Sequence, residues 1–134
     1  MRVLHVYKTY FPDTQGGLEE CIRQICLGTT AHGDENRVLS LSRDPRPEVL
    51  PRPEAELHRF PLTIELFSNS ISVKAFGAFP GLARWADVVH YHFPWPFADL
   101  LHLWHRPRAA TVLTYHSDIV RQRWLSSCYR PVMD

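Results

Sequence analysis

Apolar positions along the chain fall into short dense runs separated by stretches with helical spacing. RVLHVY, residues 2–7, is apolar at most positions and predicts a buried strand. Leu18, Cys21, Ile22, Ile25 and Cys26 then recur on one side of a 3.6-residue period, which predicts a helix over about 17–29. RVLSLS (37–42), DVVHYHF (87–93) and ATVLTYH (110–116) are further strands, and ELHRFP (56–61) alternates as a short one. FADLLHLWHR (97–106) is a helix ended by Pro107. DPRPEVLPRPEAE (44–56) carries four prolines, each fixing φ and removing a donor, and predicts an exposed connection. Ser70 or Ser72 can cap a helix through Val73, Phe76, Phe79 and Leu82, but Pro80-Gly81 is expected to interrupt it. Beyond 116 the pattern is helical as far as Pro131.

Strands alternate with helices, and most strands are apolar on both sides. This is the signature of an α/β domain, a Rossmann-like parallel sheet with helices on both faces. Ligands of such sheets bind outside the carboxyl ends of the strands. Those ends are KTYFPDTQGG after the first strand, HFPWP after DVVHYH, and HSDIVR after the last strand.

Composition narrows the function classes. The 134 residues suit one domain, and 45% hydrophobic content excludes a disordered tail. Fifteen basic against fourteen acidic residues give no basis for bulk nucleic-acid binding. Cys21, Cys26 and Cys128 are odd in number and form no C-x-x-C, as expected of reduced thiols in a cytosolic protein, the first two buried on the helix stripe. No apolar run approaches the roughly 18 residues of a membrane span. The first apolar run ends at Lys8, too short for a signal peptide. A cytoplasmic protein is expected, with the inner face of the membrane as an alternative address. For that address Phe67, Ile71, Phe76 and Phe79, with Arg59, Lys74 and Arg84 nearby, form a set able to lie in a headgroup layer. The competing account is that these aromatics cover the sheet.

Candidate chemistry gathers at the three strand ends. Gly16-Gly17, between a strand and a helix, can present bare N–H groups to an anion, or can form a tight turn that needs positive φ. Neither G-x-G-x-x-G nor G-x-x-x-x-G-K-[ST] is present, and Glu19 and Glu20 oppose an anion there. His90 and His92 share one side of a strand and suit zinc if His116, Asp118 or Asp99 completes the set; otherwise they line a polar pocket or the core. His116 lies where the last strand runs out and can meet a ligand. Ser117 and Asp118 read as a helix cap, and Arg121 and Arg123 as phosphate ligands or a solvated face. His102 and His105 complement a helix C-terminus, and His5 is a core or pocket residue.

RVLHVYKTYFPDTQGGLEECIRQI, DVVHYHFPWPFADLL and TVLTYHSDIV, in this order, resemble the N-terminal domain of family 4 retaining glycosyltransferases of the GT-B fold. The resemblance implies transfer of a sugar, often mannose, from a nucleotide-diphosphate sugar to a polysaccharide or lipid-linked acceptor. It implies no cofactor and no metal. It carries a donor-phosphate role onto Gly16 and Gly17 and a catalytic role facing the transferred sugar onto His116. Tyr10, Asp13 and Arg121 would line the acceptor side, with His92 near its floor. Trp95 would stack on a sugar face or anchor its loop. Against the family pattern, residues 1–134 lack the last strands of that domain and the whole C-terminal donor domain. A fragment, half of a split enzyme with a separate donor-domain chain, or a non-catalytic remnant is therefore expected, and the isolated chain is expected to be inactive. A histidine-lined metal-binding domain stays open as the competing function.

Overall fold

The computed structural model describes residues 1–66 and 69–115. Its elements run β1 (Arg2–Val6), α1 (Gly17–Ala31), β2 (Glu35–Ser42), β3 (Val49–Pro51), β4 (Glu56–Pro61), β5 (Ile64–Leu66), β6 (Asn69–Ile71), α2 (Val73–Trp85), β7 (Val88–Phe93), α3 (Pro96–His105) and β8 (Ala110–Tyr115). Six strands form one sheet in the order β3-β4-β2-β1-β7-β8. Every pairing in it is parallel except β3 with β4. The Rossmann-like α/β expectation is met, and the carboxyl ends of β1, β2, β4, β7 and β8 share one edge.

Side-chain alternation sorts the helices onto two faces. His5, beside His90 in register, bonds Asn36, whose amide bonds the Cys26 carbonyl of α1. Tyr91 points the other way, to Phe79 of α2 and His102 of α3. Between these layers Leu4, Val6, Val38, Leu39, Leu57 and Val89 are fully buried. Cys26 is buried as expected, and burial, with Glu54 adding to it, pushes its thiol up to about 12. Cys128 lies outside the described residues.

α2 departs from expectation. Ser72, not Ser70, is its cap, with the hydroxyl accepting from the Ala75 amide at 3.1 Å. The helix also continues through Pro80 instead of breaking there. An interior proline costs about 3 kcal/mol. Burial of Phe79 and Leu82, each contributing about 1.5–3 kcal/mol, offsets that loss.

The proline-rich connection contains β3, whose Pro51 sits on the sheet edge where a missing donor is tolerated. Arg59 holds this segment from within. Only 5% exposed, it donates to Asp44 O at 3.0 Å, Pro47 O at 3.2 Å and Asp13 Oδ1 at 3.1 Å. This corrects the headgroup-facing account of 67–84. Arg59 is interior, Phe79 is fully buried, Phe76 packs on Trp104 and His105, and Lys74 pairs with Glu48. Phe79 covers the sheet at Tyr91, and Phe76 is turned against α3. Phe67 lies outside the described residues. Among the described residues no helix is long and apolar enough to cross a membrane.

Candidate functional site

The loop from β1 to α1 ends on the two glycines. Gly16 is the N-cap of α1 in extended backbone (φ −90°, ψ 179°), and its amide donates to Glu19 Oε2 at 2.8 Å. Among the described glycines only Gly33 has positive φ. The tight-turn explanation for the pair is therefore set aside. A Cβ at Gly16 would meet only the flexible end of Glu19, at 3.0 Å, and one at Gly17 would meet nothing within 4 Å. Neither backbone conformation nor packing within the described residues calls for glycine at 17. The first amides of α1 have no partner in the helix's own ladder and face outward from its positive end. Glu19, 7% exposed, is a residue whose role the sequence did not disclose. Its carboxylate holds the Gly16 amide and, after burial, helps raise the neighbouring Tyr7 hydroxyl to about 12.

The other acceptor-side candidates separate. Tyr10 is 1% exposed, and its hydroxyl donates to Glu54 Oε1 at 3.1 Å. Glu54 is itself buried and pairs with Arg52 at 2.8 Å. Tyr10 is thus a core strut and does not line an open surface, its hydroxyl being held by the buried Glu54. Asp13 stays at the surface, tethered by Arg59. It borders a cavity of about 420 Å³ at the carboxyl ends of β1 and β2, together with Lys8, Ser42, Arg43, Glu65 and Ser70. A larger cavity, about 770 Å³, lies at the opposite end of the sheet around Arg84, Asp87 and Arg108. Ligands of parallel sheets bind at the carboxyl edge, where a third cavity of about 600 Å³ also lies beside Phe93 and Tyr115. The cavity beside Asp13 is the candidate that the loop from β1 to α1 borders, through Thr9, Asp13 and Thr14. Part of its wall is the β5–β6 hairpin, which the sequence did not signal. Trp95 is 1% exposed and donates through Nε1 to Ser70 O at 2.8 Å, while Asn69 Oδ1 accepts from the Phe97 amide. Of the two roles open to it, Trp95 is the anchor of this hairpin.

His92 is fully buried next to the carboxyl end of β7. Its Nε2 lies 3.1 Å from His5 Nδ1, and His90 Nε2 lies 2.6 Å from Thr114 Oγ1. His5, His90 and His92 offer ring nitrogens all within 4.8 Å of one another. The third histidine is His5, brought in by the parallel register of β1 and β7. Asp99, one of the third ligands expected from sequence, lies by the cavity around Tyr91 and Trp95, on the opposite face. His102 and His105 pack into that same side through Tyr91, Phe76 and Phe79 as well as ending α3. Burial first and His90 second lower His5 to about 4, so it is neutral at physiological pH. His116 and Arg121 lie outside the described residues.

Residues 15–133 match Glycosyltransferase Family 4. Across 133 residues, 99% of this chain, the sequence is 50% identical to D-rhamnosyltransferase WbpZ of Pseudomonas aeruginosa, covering 35% of that protein. Across all 134 residues it is 42% identical to O-antigen chain mannosyltransferase C of Escherichia coli, covering 36% of it. The chain therefore spans about a third of the length of these curated relatives. With a match over most of its length and the glycine pair at the carboxyl edge of a parallel sheet, the chain belongs to Glycosyltransferase Family 4.

Proposed function

We propose that residues 1–134 form the acceptor-side part of an enzyme that transfers a sugar from a nucleotide-diphosphate sugar to a hydroxyl of a polysaccharide or lipid-linked acceptor, with retention. One observation carries this most: Gly17 opens α1 at the sheet's carboxyl edge with neither a packing nor a conformational reason to be glycine. Close approach of a ligand to the backbone supplies that reason. The departing diphosphate concentrates negative charge, and outward amides at a helix N-terminus stabilise such charge as it develops. Because the Gly16 amide already bonds Glu19, the cradle rests on the amides that follow it. His116, past the end of β8, would face the transferred sugar, and Arg121 the acceptor. The cavity beside Asp13 and Arg43 would take acceptor hydroxyls. Its ion pairs, Arg43 with Glu65 and Asp13 with Arg59, balance charge and leave oxygen acceptors and N–H donors for a neutral sugar ring.

The two relatives are named for D-rhamnose and mannose. D-rhamnose is 6-deoxy-D-mannose, so a manno-configured donor is the sugar class proposed here. The test is a chimera in which this chain replaces the matching third of the Pseudomonas D-rhamnosyltransferase. Sugar transfer by the chimera, with the anomeric configuration read by NMR, is the expected result. A folded but inactive chimera, or an inverted product, would refute the proposal. The isolated chain should bind nucleotide sugar weakly or undetectably in calorimetric titration.

A further inference from the structure

The buried polar seam between α1 and β7 has a fixed hydrogen-bond direction, and one carbonyl sets it. Asn36 Nδ2 lies 3.2 Å from Cys26 O, 2.9 Å from Thr29 Oγ1 and 3.1 Å from Thr30 Oγ1. A main-chain carbonyl only accepts, so the amide nitrogen of Asn36 must face it and Oδ1 must face the other way. Oδ1 meets His5 Nε2 at 3.2 Å. An oxygen there requires a proton on that nitrogen. A neutral His5 protonated at Nε2 has a bare Nδ1, and that atom faces His92 Nε2 at 3.1 Å. Two lone pairs cannot share so short a buried contact, so the proton lies on His92 Nε2. His92 then has Nδ1 as its acceptor.

We infer that Asn36 and His5 are positioning residues that lock His92 as its Nε2–H tautomer, so that His92 presents an acceptor to whatever it orders near the end of β7. The group it orders is accordingly a donor, a hydroxyl or an N–H, and not a carboxylate or phosphate oxygen. Burial keeps the chain of tautomers in one state, because a charged His5 would make Nδ1 a second donor facing a donor. His90, on the same face and bonded to Thr114, stacks on His92 with ring centroids 4.1 Å apart and holds its plane. The consequence for transfer rests on the acceptor-side assignment proposed above; the tautomers themselves do not.

The experiment is ¹⁵N NMR of the full chain with labelled histidine at pH 7. Both His5 and His92 are expected to show protonated Nε2 and bare Nδ1. Any other tautomer at either ring overturns the inference, as does stoichiometric zinc with metal-shifted ring nitrogens. Asn36→Asp gives a signature that a merely structural role would not. A carboxylate beside His5 Nε2 favours the imidazolium, His5 Nδ1 becomes a donor, and His92 must move its proton to Nδ1. In the chimera, Asn36→Asp is expected to lower kcat about tenfold or more with the donor KM little changed. Transfer at the unsubstituted rate in a variant whose His92 has switched tautomer would overturn the positioning role. An inactive unsubstituted chimera would instead refute the acceptor-side assignment and leave the tautomer result to decide the rest.

Discussion

Gly17 and His5 show how single residues separate fold from function here. A Cβ at Gly17 meets nothing and its backbone lies outside the positive-φ region. Gly17→Ala should therefore hold the free energy of unfolding, read by chemical denaturation, or raise it by about 0.4–1 kcal/mol, since alanine loses less chain entropy. The same change in the chimera should reduce sugar transfer about tenfold or more, because a methyl group would stand where the proposed cradle takes the diphosphate. Loss of stability without loss of transfer would show a structural glycine. His5 makes the opposite kind of prediction. Its folded pKa is lowered, from 6.5 to about 4. Between those values the unfolded chain binds the proton that the folded chain refuses, so its contribution to stability is present above pH 6.5 and is lost as pH falls toward 4. The loss attributable to His5 is about 3 kcal/mol at full development. His90 and His92 share its face, and Asn36 and Cys26 close it from β2 and α1; the Cys26 thiol is pushed to about 12 and takes no part in this range. Urea midpoints from pH 7 to pH 4.5, with and without His5→Gln, measure it. Curves of equal slope for both proteins would contradict the assignment.

At the scale of elements, the hairpin is the part of the site that depends on a distant residue. Trp95 reaches it from the loop before α3 through one bond to Ser70 O. Trp95→Phe keeps the aromatic bulk, removes that donor, and leaves a carbonyl short of a partner, a local cost of about 1–3 kcal/mol. Amides of 62–66 and 69–72 should then exchange faster with solvent while those of β1 and β7 hold their protection. Uniform loss across the sheet would mean that Trp95 supports the core and not the hairpin. The same residues mark the limit of what patterning discloses. Runs such as VVHYHF carry no charged residue and are buried along both faces, as strands of a covered parallel sheet are, so β1, β2, β7 and β8 were legible, and β4 from its alternation. Three-residue strands carry no period: Val49–Pro51 exists because it pairs with β4, and Ile64–Leu66 and Asn69–Ile71 because they pair with each other and are held by Trp95 Nε1 on Ser70 O and by the Phe97 amide on Asn69 Oδ1. Pro80 misled for a related reason, since burial of Phe79 decides α2 against the local preference. At the site, His90 and His92 announced a shared side, but His5 joins them only through strand register, and Tyr10 leaves the surface only through its bond to Glu54.

The whole molecule poses a problem at β8. Among the described residues this strand pairs with β7 alone, and Val112, Leu113 and Tyr115 are 44%, 64% and 70% exposed. Val112 lies beside His90 and Leu113 beside Tyr91, so apolar side chains emerge on both faces of the strand. A parallel strand of this composition is stable with both faces covered, and an uncovered one is a template for association. Within an enzyme about three times as long, further chain would supply the cover, in keeping with the acceptor-side role proposed above. The two settings then give opposite signs for one substitution. In the isolated chain Leu113→Glu places a charge on an exposed edge, and sedimentation velocity should show less self-association than in the unsubstituted chain. In the chimera the same carboxylate would be forced beneath covering structure, and the free energy of unfolding should fall by on the order of 3 kcal/mol. A neutral effect in the chimera would mean that the face of β8 carrying Leu113 stays open in the larger protein as well.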